Sequence, residues 1–140
     1  MIHSLCFFDY SLKENIKATW ALLKLKATPK RYTDINPDDL LALIESNQPL
    51  TVIDCRRRDT YERIGHIEGA LSYPVMSFED DIHTIPKDTQ VVTVCYFGFF
   101  CQIAAQKLAK HGHKDVLSMT GGMEKWIMSD KPITKSAPLP

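Results

Sequence analysis

The sequence predicts an α/β domain: a mostly parallel central sheet flanked by helices on both faces, with an extra helix at the N-terminus. Three observations lead there. From residue 32 onward, short β-branched runs alternate with helical stretches, a pattern that packs as parallel strands covered on both sides. The run Val91 to Val94 is apolar throughout and reads as a buried strand. The 140 residues contain only 6 Gly and 8 Pro and are 44% hydrophobic, which suits one globular domain. A chain of that length buries roughly two-thirds of its unfolded surface without staples.

The elements follow in order. Residues 11–27 read as a helix: Ser11 caps it, Glu14 completes a capping box, and Leu12, Ile16, Trp20 and Leu23 share a face. Ala21, Leu22 and Leu25 widen that face, so the helix is expected to be covered on more than one side, and Pro29 ends it. Residues 32–35 form a short strand. Asn36 then caps a helix that has Pro37 at its first position and runs through Leu40, Leu41 and Ile44. Residues 51–54 are a β-branched strand, followed by a charged turn and a brief helix around Tyr61. Residues 70–73 are a strand stopped by Pro74. After the strand 91–94 comes an amphipathic helix over 102–111, closed by Gly112. A last strand, 116–119, leads through Gly121-Gly122 into a helix containing Trp126. The proline-containing tail beyond Pro132 is expected to be disordered.

Composition excludes several function classes. Seventeen basic residues balance seventeen acidic ones, so no basic stripe points to nucleic acid. No apolar run approaches the roughly 18 residues a membrane helix needs. Residues 1–10 lack a basic patch before Leu5-Cys6-Phe7-Phe8, which argues against a secretory leader. Cys6, Cys55, Cys95 and Cys101 include no Cys-x-x-Cys pair, and His3, His83, His111 and His113 show no ligand convergence. The expectation is therefore no metal, no cofactor, no disulfide framework and a cytoplasmic thiol protein.

Chemistry is expected at the turn after Val94. A buried strand runs straight into Cys95, then a loop with Gly98, then a helix. In a parallel α/β sheet, ligands bind beyond the carboxyl ends of the strands. A loop that curls back points its amides inward, Gly98 permits the backbone angles this needs, and the following helix adds the positive end of its dipole. Such surroundings favour thiolate over thiol. Free cysteines are also common small core residues. On the loop alone, the two readings of Cys95 stand level.

A family resemblance tips the balance. Ile53-Asp54-Cys55-Arg56 resembles a strand-end Asp-x-Arg motif, and Gly65-His66-Ile67-Glu68-Gly69-Ala70 resembles Gly-His-Ile-x-Gly-Ala. Val91 to Gly98 resembles a strand and the start of a Cys-x-x-Gly-x-Arg loop. Leu108, Gly112, Val116, Thr120-Gly121-Gly122, Trp126 and Pro132 complete the order. Residues 33–133 are thereby similar to the rhodanese-like, or sulfurtransferase, domain, leaving 1–32 as an N-terminal helical extension and 134–140 as a tail. The resemblance implies a rhodanese-like fold and a catalytic Cys95 that takes sulfur from a sulfane-sulfur donor as a persulfide. A thiol or other nucleophile then accepts that sulfur. It implies an active-site loop of Tyr96, Phe97, Gly98, Phe99, Phe100 and Cys101, whose inward amides hold the anionic sulfur. Asp54 and Arg56 are supporting residues; Arg56 is expected to pair with Glu62 or Asp59, and His66 to have a hydrogen-bonded structural role.

One departure matters. Phe100 stands where many family members carry Arg or Lys, so the loop has no cation for thiosulfate. Poor thiosulfate:cyanide turnover follows, and Phe100→Arg is expected to raise it. The aromatic side chains suit an apolar, thiol-bearing or protein partner; equally, Phe99 and Phe100 could pack on the N-terminal helix. A dual-specificity phosphatase of this fold needs Cys-x5-Arg, and residue 101 is Cys, so that reading is rejected. The alternative that stays open is a non-catalytic rhodanese-like binding or regulatory module. The apolar N-terminal helix could also serve a homodimer. Cys55, at a strand end beside that of Cys95, is a candidate redox partner, on the resemblance of Asp54-Cys55-Arg56 to the phosphatases' back-door cysteine; the competing reading is a core residue in place of valine. Cys101 is expected to start the helix with its side chain placed for capping.

Overall fold

The computed structural model describes residues 10–135. His3 and Cys6 lie outside them, as do the rest of residues 1–9 and the tail 136–140. Five parallel strands form one sheet: β1 (Thr33–Ile35), β2 (Leu50–Asp54), β3 (Leu71–Ser72), β4 (Gln90–Val94) and β5 (Val116–Met119), in the order β1-β5-β4-β2-β3. Six α-helices accompany them among the described residues: α1 (Leu12–Lys26), α2 (Pro37–Glu45), α3 (Arg58–Ile64), α4 (Phe78–Asp81), α5 (Phe100–Lys110) and α6 (Gly122–Met128). All but α4 appear in the sequence reading. A single helical turn flanked by 3-10 turns is too short to show a period, and its signal is only the spacing of the buried anchors Phe78, Ile82 and Ile85.

Local chemistry sets the boundaries. The Ser11 side chain accepts from the Glu14 amide at 3.3 Å while Glu14 accepts from the Ser11 amide at 2.7 Å, a complete capping box. Asn36 accepts from the Asp39 amide at 2.8 Å, ahead of a proline whose missing N–H costs nothing there. Central β4 pairs with β2 and β5, so alternate side chains enter two separate cores. Val52, Val92, Val94 and Leu117 face Leu40, Tyr61 and Trp126 of α2, α3 and α6. Ile53, Cys55, Val91, Cys95 and Val116 face Ala18, Phe78, Ile103, Ala104 and Leu108 of α1, α4 and α5. Each buried Leu, Ile or Val side chain contributes on the order of 2 kcal/mol.

Two expectations need correction. Helix α1 is covered on one side only: Ala18, Ala21, Leu22 and Leu25 pack on the core, while Leu12, Ile16, Trp20 and Leu23 are 50–77% exposed. The apolar residues span more of the helix than one neighbouring surface can cover. Thr134, placed in the tail, exchanges backbone hydrogen bonds with His66 (2.9 and 2.8 Å), so pairing continues past Pro132.

Candidate active site

Parallel pairing of β2 with β4, with Asp54 opposite Val94, brings two motifs to one sheet edge. Period-two alternation then turns Cys55 and Cys95 to the α5 side and Asp54 to the other. Cys95 is buried at the carboxyl end of β4, and the next residues wrap its sulfur. The Gly98 amide donates to the Cys95 sulfur at 3.2 Å. The amides of Phe100 and Cys101 and the Cys101 side chain also favour its anion. Burial alone pushes the Cys95 thiol up; these four interactions outweigh it and hold the group below its ordinary value.

The loop keeps its curl by docking on the turn before α6. Gly98 has φ +92°, and a β-carbon there would stand 2.9 Å from the Gly121 nitrogen. Gly122, with φ +65°, lies so close that a β-carbon would reach 2.2 Å from the Tyr96 oxygen. The free amides of the first α6 turn are used here: Met123 donates to the Cys95 carbonyl (2.7 Å) and Glu124 to that of Tyr96 (2.9 Å). On the far side Gln102 donates to the Gly98 carbonyl at 2.7 Å, and Tyr32 steadies Gln102 at 3.2 Å.

Cys101 does not cap α5, whose N-cap is Phe99 without a side-chain bond. It is buried; its thiol donates to the Met119 carbonyl at 3.7 Å and its sulfur accepts from Ser118 at 3.3 Å. Burial pushes its thiol well up, and the anionic Cys95 beside it adds to this. Cys55 is buried too; its thiol, also pushed well up by burial, then Cys95 and Asp54, donates to the Ile53 carbonyl at 3.9 Å. Cys55, Cys95 and Cys101, the cysteines among the described residues, are free.

The Arg56 partner is Asp54, not Glu62 or Asp59. Nε and Nη2 grip both carboxylate oxygens at 2.7–3.2 Å, and Nη2 also reaches the Gly65 carbonyl at 2.7 Å. Asp59 takes Arg57 instead, at 3.1 Å on the surface. A two-residue spacing at a strand end folds Arg56 back over Asp54, a geometry that sequence distance conceals. Burial works against the Arg56 charge, but Asp54 and then Cys95 more than restore it. Its Nη1 is buried without a hydrogen-bond partner. His66 has the expected structural role: Nδ1 meets the Tyr61 carbonyl at 3.0 Å and the two rings stack.

The aromatic loop divides. Phe100 turns into the core, edge-on to Tyr10 with centroids 5.8 Å apart, and shares that cluster with Ala18 of α1. Its side chain is not in the place of a substrate cation, which removes the basis for Phe100→Arg as a gain. Phe99 is half exposed and, with Phe97, Met128 and Lys125, lines an open groove of about 520 Å³. Lys125 and Ser118 were not legible as site residues. Ser118 had one signal, a polar residue in the buried strand Val-Leu-Ser-Met.

The family model described as "Rhodanese-like domain" matches residues 36–129. The thiosulfate sulfurtransferase GlpE of Shewanella oneidensis is 30% identical over 95 residues, 68% of this chain and 92% of its own. That of Coxiella burnetii is 34% identical over 77 residues, 55% and 71% of the two chains. A rhodanese-related protein from Thermoplasma volcanium superposes with a TM-score of 0.68 at 24% identity, covering 75% of this chain and all of its own, a likeness of fold. The match spans strands β2 to β5, the Asp54–Arg56 pair and the Cys95 loop together, and the chain belongs to the rhodanese-like domain family.

Proposed function

We propose that the protein is a sulfurtransferase in which Cys95 carries sulfane sulfur as a persulfide. The Gly98 amide, 3.2 Å from the Cys95 sulfur and joined by those of Phe100 and Cys101, carries this reading. A ring of donors stabilises the thiolate that attacks the donor and then the anionic persulfide. Attack on the outer sulfur of a donor such as a thiosulfonate forms the new S–S bond and expels a sulfinate. A thiol or other nucleophile next takes the outer sulfur and returns Cys95 as thiolate. Relatives named thiosulfate sulfurtransferase and putative sulfur carrier protein support the class of chemistry. Thiosulfate itself is expected to be a poor donor, because the loop has no cation and Lys125 is the one basic residue lining the groove beside it. The half-exposed Phe99 and Phe97 suit donors with an apolar body. Free thiols suit a reducing, cytoplasmic setting. Incubation with a persulfide or polysulfide donor, quenched by an alkylating agent within the first turnover, is expected to trap one added sulfur atom on Cys95, read by peptide mass spectrometry, and none on the Cys95→Ala protein. No uptake from any donor class would favour a non-catalytic binding module.

We also infer that a homodimer forms through α1. The stripe Leu12, Ile16, Trp20 and Leu23 supports this, since contiguous exposed apolar surface marks an interaction face and a helix stripe meets its own copy across a two-fold axis.

A further inference from the structure

Resting on the persulfide reading, we propose that Cys101 is a second catalytic thiol: it attacks the inner sulfur of the Cys95 persulfide, closes a Cys95–Cys101 disulfide and releases the outer sulfur as hydrosulfide. Four observations place it there. The Cys101 and Cys95 side chains interact, each shifting the titration of the other, and the Cys101 thiol also meets the Met119 carbonyl at 3.7 Å. Cys55 feels Cys95 through its charge, while its thiol donates to the Ile53 carbonyl at 3.9 Å. Thr93, two residues before Cys95, donates through Oγ1 to the Cys101 carbonyl at 2.8 Å, tying the first turn of α5 to the strand that delivers Cys95. Ser118 donates to the Cys101 sulfur at 3.3 Å, ready to support negative charge as that sulfur gives up its proton.

The step balances without an outside reagent. Before it, Cys95 carries an S–S⁻ group and Cys101 an S–H. The Cys101 sulfur bonds the Cys95 sulfur, the bond to the outer sulfur breaks, and its electron pair leaves with that atom. The Cys101 proton passes to the departing sulfur, giving HS⁻. The outer sulfur is reduced by two electrons and the two cysteines are oxidised to the disulfide. A dithiol from solution, itself oxidised to its disulfide, then restores both thiols by exchange. Burial divides the outcomes. A solvent nucleophile meets the outer sulfur and removes it for transfer, whereas the buried Cys101 meets the inner one. Having its thiol pushed well up by burial, Cys101 keeps its proton until the leaving sulfur can take it. The protein thus gains a second product, hydrosulfide, whenever no acceptor arrives.

The test uses the full chain, reduced and freed of thiol, with methanethiosulfonate as donor, whose by-product is a sulfinate rather than sulfide. Wild type is expected to release stoichiometric hydrosulfide and to end two hydrogens lighter than the reduced protein, with Cys95 linked to Cys101. Cys101→Ser and Cys101→Ala are expected to gain one sulfur on Cys95, keep it and release none, and Cys55→Ser to behave as wild type. A wild-type persulfide that persists without sulfide release overturns the relay while the persulfide reading stands. A disulfide mapped to Cys55, or lost in Cys55→Ser, overturns it in favour of that cysteine. Sulfur that reaches Cys95 in neither wild type nor the Cys101 variants defeats the persulfide reading itself.

Discussion

At the scale of single residues, two buried charges govern the site. Four interactions outweigh the cost of burying the Cys95 anion and lower its titration, so each is a lever on it. Cys101→Ala removes one of them. A hydrogen bond to a charged group is worth about 1.5 kcal/mol or more, so the midpoint should rise by roughly one pH unit. Peptide-resolved alkylation of Cys95 against pH measures it; an unmoved or lowered midpoint would show that the Cys101 thiol does not stabilise the anion. The guanidinium of Arg56 is the other charge. Its grip on Asp54 is bidentate and almost wholly buried. Arg56→Ala leaves a buried carboxylate without its partner, at a cost of about 3–5 kcal/mol in unfolding free energy. Urea denaturation reads this directly, and a loss below about 1 kcal/mol would mean that water reaches Asp54.

At the scale of elements, the active-site loop is held from both sides. Gly121 and Gly122 let the α6 turn close against Tyr96, while Phe100 anchors the other end beneath α1. That second anchor makes Phe100 part of the core. Phe100→Arg should therefore destabilise the fold by on the order of 3 kcal/mol, through lost aromatic packing and a stranded charge. Thermal melting together with a thiosulfate assay checks both halves. An unchanged melting temperature with raised thiosulfate turnover would show that residue 100 can swing outward to meet the donor.

At the scale of the whole molecule, α1 joins two surfaces. Its inner side closes the core over α5, and the Gln106 side chain fastens the following segment, accepting from the Arg31 amide at 2.9 Å and donating to the Pro29 carbonyl at 2.7 Å. Its outer stripe is the proposed homodimer face. Trp20→Glu, with Leu12→Glu added, should give a monomer that stays folded, because both side chains are mostly exposed. Sedimentation equilibrium decides it. A wild-type monomer at all concentrations ends the dimer proposal.

The chain's local patterns determined most of this. Periodicity, the Ser11 and Asn36 caps, the Gly-Gly turn and the strand running into Cys95 are relations between near neighbours, and they placed five strands and five of the six described helices. The surroundings of Cys95 were legible for the same reason, since Gly98, Phe100 and Cys101 all lie within the next six residues. What only the tertiary structure decided involves partners distant in sequence or a choice between faces. Ser118 meets Cys101 because β5 lies beside β4, and Lys125 reaches the loop groove because α6 docks there. Phe100 and Phe99 are adjacent, both aromatic and indistinguishable by composition, yet the helix start sends one to the core and the other to solvent. The side of α1 that meets the protein was likewise ambiguous, because both sides are apolar. Only packing area, a property of the assembled layers, selected Ala18 and Leu22 over Ile16 and Trp20.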